Sequence, residues 1–152
     1  MQVSSTSIAN GQIQAVHAAK SKGGQDQPLA LTVRGIPGEA RYLCIVGDDP
    51  DALKPAGRVW VHWNVFNVPL QGDTLEIPAG QPPGGEAGTT SSGHRGYEGM
   101  APPDGEHTYR FAVFASREPI KADTGKAWTI DEFERSYGSQ ALAKAMTEGG
   151  FR

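Results

Sequence analysis

Most apolar positions in this chain fall into short runs with strand spacing, separated by turn residues. Residues 11–17 and 28–34 read as short strands around the turn-rich connector Lys20-Ser21-Lys22-Gly23-Gly24. Tyr42 to Val46 is almost wholly apolar, as expected of a central strand buried on both faces. It runs into Gly47-Asp48-Asp49-Pro50-Asp51, where the proline ends any ladder. Val59, Val61, Trp63 and Val65 alternate with Trp60, His62, Asn64 and Phe66, which predicts a long strand with two contrasting faces. His107 to Ala115 is the next strand-like segment. Helix signals follow only after it. Thr129-Ile130-Asp131-Glu132 has capping-box spacing, and Ser139 to Glu148 holds the strong helix formers Ala141, Leu142, Ala143, Lys144, Ala145 and Met146 before Gly149-Gly150. The order predicts one mainly β, antiparallel domain over residues 1–152, closed by one or two short C-terminal helices.

Composition narrows the function. The net charge of -3 offers no basic field for phosphate backbones, so no nucleic-acid partner is expected. The single cysteine, Cys44, rules out an internal disulfide, and its apolar run marks it as a packing residue. No segment approaches membrane-spanning length, and the N-terminus lacks a basic start or apolar stretch, so a cytoplasmic setting is expected. With 20 Gly and 11 Pro, turns outnumber long helices.

Between Gly80 and Gly105 no periodic segment is visible. Pro82-Pro83-Gly84-Gly85, Thr89-Thr90-Ser91-Ser92-Gly93 and Pro102-Pro103-Asp104-Gly105 succeed one another. So long a loop inside a compact domain is usually functional, and Tyr97 and Met100 give this one apolar anchors, so it is expected to border a ligand. Two strands flank it. Each carries a histidine two residues from an aromatic, so Trp60 shares a face with His62, and His107 with Tyr109. Asp48, Asp49 and Asp51 stand at a third strand end, where they read equally as turn formers. A carboxylate there would favour a protonated imidazole, a good donor to phosphate or carboxylate oxygens. His17 and His94 lack such context and are expected in solvent, His94 beside Arg95 on the loop.

Asp49-Pro50-Asp51-Ala52, Trp60-Val61-His62-Trp63, Gly96-Tyr97-Glu98-Gly99 with Pro102-Pro103-Asp104-Gly105, and His107-Thr108-Tyr109 follow in an order that resembles phosphatidylethanolamine-binding proteins. That family includes the Raf kinase inhibitor proteins and their bacterial relatives, and the likeness runs from about Gly11 to Phe151. It implies a large antiparallel sheet, a smaller sheet and a C-terminal helix. It also implies a small pocket for phosphate-like anions and phosphoethanolamine head groups. On the matching motifs the pocket would be lined by Asp49, Trp60, His62, Pro102, Pro103, His107 and Tyr109, with Asp51 close by. No cofactor or metal is implied; because bacterial relatives are often homodimers, the resemblance implies a homodimer as the expected assembly. The chain departs from the pattern at Leu53, where proline is common, at Met100, where proline is usual, and at Thr108, where arginine is usual. It also lacks a tryptophan in Leu31-Thr32-Val33-Arg34. Alternation puts Thr108 away from His107, whereas Met100 is expected to reshape the pocket rim.

Three functions fit these residues. The first is a non-catalytic binding protein for a small anion or phospholipid head group, which could modulate a protein partner. The second is a metal-dependent or acid–base hydrolase using His62, His107 and Asp49. Against it, the chain has no His-x-x-x-His, nucleophile elbow or Walker A string. The third is an interaction domain in which the loop binds and the pocket is vestigial. Kinase inhibition does not carry over, because partner choice lies in surface residues that pocket motifs do not report.

Overall fold

The computed structural model describes residues 1–152. Ten strands run in chain order: β1 (Gln2–Ser4), β2 (Ile8–Ala9), β3 (Gln12–Ile13), β4 (Leu31–Arg34), β5 (Tyr42–Asp49), β6 (Trp60–Pro69), β7 (Thr74–Ile77), β8 (Glu86–Ala87), β9 (His107–Ser116) and β10 (Ala141–Phe151). Two short helices join them, α1 (Leu53–Ala56) and α2 (Ile130–Tyr137). Strands β1, β4 and β7 form a small sheet, and the other seven form a large one in the order β2-β3-β10-β9-β5-β6-β8. Pairing is antiparallel throughout except at Gly150 and Gln12, where β10 meets β3 in parallel and makes the large sheet mixed.

Strands β5 and β9 are buried on both faces, as the continuous apolar run in β5 requires. One face carries Leu43, Ile45, Tyr109, Phe111 and Val113 against Leu31, Val33 and Ile77 of the small sheet. The other carries Cys44, Val46, Ala112 and Phe114 against Ile130 and Phe133 of α2 and the preceding Trp128. Burial pushes the Cys44 thiol up to about 11, so its role is packing. Helix α2 begins where its capping box places it: the Thr129 hydroxyl accepts from the Glu132 N–H, and the Glu132 carboxylate accepts from the Thr129 N–H.

The segment expected to be a second C-terminal helix is instead strand β10. Helix propensity is worth only about 0.7 kcal/mol per ordinary residue or less. Here a ladder with β9 from Ala141–Ser116 to Phe151–His107 outweighs it. Exposed Leu142, Lys144, Met146 and Glu148 alternate with half-buried Ala143, Ala145 and Thr147, a period of two that the good helix formers conceal in the sequence. The strand expected over residues 11–17 is only β3 and a 3-10 turn at Ala15–His17. His17, expected in solvent, is 1% exposed, and its Nδ1 lies 2.7 Å from the Gln27 carbonyl. His94 is exposed, as expected.

The Gly80–Gly105 segment is bound along β6. The Gly88, Ser91 and Glu98 amides donate to the carbonyls of Asn64, Val61 and His62, and β8 pairs with Val65 and Phe66. Gly99 passes so close to residues 18 and 19 that a Cβ there would lie 2.5 Å from the Ala18 carbonyl carbon. Met100 is fully buried, with its carbonyl accepting from the Ala19 amide and its sulfur 3.3 Å from the Tyr97 hydroxyl. It anchors the loop in the core and takes no part in the rim.

Candidate ligand cavity at the ends of strands β5, β6 and β9

The predicted residues converge. A cavity of about 250 Å³ is lined by Asp49, Trp60, His62, Pro102, Pro103, His107 and Tyr109, joined by Ala52, Pro55 and Ala56 of the α1 region and by Glu98, Gly99 and Ala101 of the loop. Leu53 is 58% exposed and outside it, and Thr108 points away as alternation requires. Asp51 stays outside too. It is exposed, and its Oδ2 accepts from the Thr108 amide at 2.8 Å, so it ties the β5 end to β9.

The Trp60–His62 pair reaches the cavity by a route that simple alternation does not describe. The β5–β6 register steps from Gly47 opposite Trp63 to Asp48 opposite Val61, leaving His62 without a partner on β5. This bulge sets Trp60 opposite Asp49 while Trp63 stays in the core. Adjacent Asp48 and Asp49 take opposite faces. Asp49 enters the cavity. Asp48 turns away to form a two-pronged ion pair with Arg110 at 2.8 and 2.9 Å, and accepts from the Ile130 amide at the start of α2.

The two cavity histidines are in opposite states. His107 lies between carboxylates, with Nδ1 2.6 Å from Asp49 Oδ2 and Nε2 2.6 Å from Asp104 Oδ1. A carboxylate only accepts, so both ring nitrogens donate and the ring is an imidazolium. Burial opposes that charge, but the bonds to Asp49 and Asp104 outweigh it and raise the pKa above the usual 6.5. His62 is 5% exposed, and its Nδ1 donates to the Glu98 carbonyl at 2.8 Å. Burial holds its pKa below 6.5 in spite of the neighbouring carboxylates, and the ring is neutral. Burial first, and the Asp49 charge second, drive the Tyr109 phenol far above its ordinary range, so it keeps its proton as a donor.

Opposite shifts give opposite pH dependences. His107 adds stability that is complete below about pH 6.5 and is lost as pH rises through its higher folded-state value. His62 costs nothing above about pH 6.5. Below it the unfolded chain takes a proton the folded ring refuses, so stability falls with pH. Imidazole titration followed by NMR should show His107 titrating above pH 6.5 and His62 below it; coincident titration would contradict the assignment.

Glu98 was not a candidate from sequence, although it stood inside a quoted motif. Its Oε2 accepts from the Trp60 indole at 2.9 Å, and its Oε1 from the Thr90 hydroxyl at 2.9 Å and from Ser92. Burial raises its pKa, but the three donors more than offset this, and it is ionised. Asp104, also missed, is the half-exposed rim carboxylate on His107. A charged residue in a glycine-rich loop beside the histidine strands was the only signal for either.

The family model described as phosphatidylethanolamine-binding protein matches residues 3–152. A UPF0098 protein of Methanothermobacter thermautotrophicus is 42% identical over 133 residues, 85% of each chain. Escherichia coli YbcL is 33% identical over 142 residues, 85% of this chain and 76% of its own. The crystal structure of E. coli YbcL, described as a new member of the mammalian PEBP family, superimposes with a TM-score of 0.80 over 99% of this chain and 97% of that one, at 26% identity. In fold alone, the Chlamydia trachomatis homologue CT736 matches with a TM-score of 0.81 over 99% and 96% of the two chains, at 23% identity. The chain belongs to the phosphatidylethanolamine-binding protein family.

Proposed function

We propose that this protein binds a small head-group ligand without transforming it, seating a phosphate-type oxyanion against His107. The observation that carries the reading is the Asp104 carboxylate on His107 Nε2. Asp104 sits on an exposed turn with 42% of its side chain accessible, so it can leave at little cost. The Asp49 contact on Nδ1 is 4% exposed on both sides and stays. An incoming phosphate oxygen would take the place of the Asp104 oxygen on a charged donor, with the Tyr109 hydroxyl as a further donor nearby. Inner carboxylate, imidazolium and outer carboxylate thus form a receptor whose outermost anion is exchangeable.

The same contacts weigh against a hydrolase. Neither ring nitrogen of His107 has a lone pair for a metal or for a proton, and His62 spends its Nδ1 proton on a backbone carbonyl. No hydroxyl nucleophile is hydrogen-bonded to either ring. Binding is expected to respond to Asp104 directly. Asp104→Ala removes a competitor for Nε2, so inorganic phosphate should bind roughly tenfold tighter than to the parent protein, about 1.4 kcal/mol. Titration calorimetry with inorganic phosphate and with O-phosphoethanolamine reads this, and silence of both proteins toward both ligands would end the proposal.

A further inference from the structure

A second cavity, of about 410 Å³, shares no lining residue with the first. Trp63 and Val65 of β6, Tyr97 of the loop and the pair Pro82-Pro83 supply apolar walls, and Asp26 is the only charged residue among them. The space falls within the range of about 300–1,000 Å³ typical of ligand cavities. Its walls are fixed before any ligand arrives. Gly85 lies so close to β6 that a Cβ would fall 2.4 Å from the Phe66 carbonyl oxygen. The Gly80 amide donates to the Pro28 carbonyl at 2.9 Å, and the prolines between these two glycines hold φ constant.

Trp63 shows what the cavity asks for. The Trp60 indole donates to Glu98 and the Trp128 indole to the Asp123 carbonyl, both at 2.9 Å. Trp63 Nε1 donates to no protein atom, although the residue is only 2% exposed. No unpaired side-chain nitrogen or oxygen is sealed from solvent in this molecule, so Nε1 opens on the trace of surface that Trp63 keeps, in the cavity it lines. Buried indole N–H groups usually have an acceptor, and one placed in this cavity would complete the bond. Tyr97 stands edge-to-face with Trp63, ring centroids 5.5 Å apart, and its own hydroxyl is spent on the His17 carbonyl at 2.7 Å. Asp26 is exposed, with Oδ1 accepting from the Gly99 amide at 2.9 Å and no cation paired with it.

One donor, apolar rings and one carboxylate specify a partner. An ordinary extended chain laid here would bury backbone N–H groups with no side-chain acceptor except Asp26. A polyproline II segment avoids that cost, because its prolines carry no N–H and its carbonyls make no internal hydrogen bonds. Its rings suit an aromatic-lined groove. A basic side chain beside the prolines would answer Asp26. We propose that this cavity is a second binding site, for proline-rich peptide segments carrying an arginine or lysine. Trp63 Nε1 donates to a ligand carbonyl, and Asp26 pairs with the basic side chain.

Heteronuclear NMR of the full chain tests this on the three indole N–H signals. A blocked oligoproline peptide ending in arginine should shift the Trp63 signal saturably and leave those of Trp60 and Trp128 in place. The same peptide ending in glutamate should bind at least tenfold more weakly, and so should a glycine–serine peptide ending in arginine. No shift at Trp63 with the proline–arginine peptide, or a shift at Trp60 in its stead, would overturn the site. Equal affinity for the glycine–serine peptide would overturn the proline-rich class of ligand. Asp26→Asn removes the charge alone. Asparagine also tolerates the left-handed backbone found there, φ 53°, and its amide oxygen can keep the bond from Gly99. This variant should bind the arginine and glutamate peptides within about twofold of each other, as expected once no opposite charge faces them. A tenfold preference retained in the variant would overturn the role of Asp26.

Discussion

His107→Ala should lose roughly a hundredfold in affinity for O-phosphoethanolamine, the loss expected for one charge-assisted hydrogen bond of about 2–3 kcal/mol. It should also unfold more easily. Removing the ring leaves the Asp49 carboxylate, 3% exposed, without its charged partner and held by the Asp51 amide. Breaking a buried pair from one side typically costs about 3–5 kcal/mol. The lower end applies here, because the vacated cavity admits water to Asp49. Urea unfolding separates the two effects. In the double variant Asp49→Asn with His107→Ala, no buried charge is stranded, so part of the stability should return while binding stays lost. Full affinity in a folded His107→Ala protein would remove the oxyanion assignment.

How far the cavity was readable from sequence depends on where each residue gets its instructions. Asp49, Trp60, His62, Pro102, Pro103, His107 and Tyr109 stand in local motifs on strand ends or in the adjoining loop, and all of them line the cavity. Asp51 stands in the same motif, but its partner is a backbone amide 57 residues away, which no local pattern reports. Glu98 is hidden in the sequence for the same reason. Its donors are Trp60, Thr90 and Ser92, gathered only when the loop folds along β6. The proton on His62 is likewise fixed by a carbonyl in that loop, a contact that no local motif reports.

The fold shows the same division. Where burial and alternation agree with local propensity, as in β5, β6 and β9, the elements are legible. In β10 they disagree. Ala, Leu, Lys and Met there favour a helix by tenths of a kcal/mol each, and only the waiting edge of β9 decides otherwise. Gly149, read as a helix stop, serves instead to let Ile8 and Ile13 approach: a Cβ on it would lie 2.9 Å from the Ile13 side chain.

Asp48→Ala should destabilise the protein by about 3–5 kcal/mol, a large part of a typical total of about 5–15 kcal/mol. The Asp48 side chain is fully buried and answers three donors: two from Arg110 and the Ile130 amide. Its loss strands a partly buried guanidinium, 21% exposed, and an orphan N–H at a helix start that is itself 1% exposed. Helix α2 is held to the sheet by this contact and by Phe133, so its amides should lose hydrogen-exchange protection before those of β5. Ligand affinity of the remaining folded protein should stay within about twofold, as expected for sites without shared partners. Replacing both partners, Asp48→Leu with Arg110→Met, should recover most of the stability, because no charge is then left alone. Asp48 and Asp49 are neighbours in the chain with the same side chain. One alanine substitution should weaken the helix and spare the ligand, while its neighbour's should do the reverse, since strand alternation sends one carboxylate to α2 and the other to the cavity.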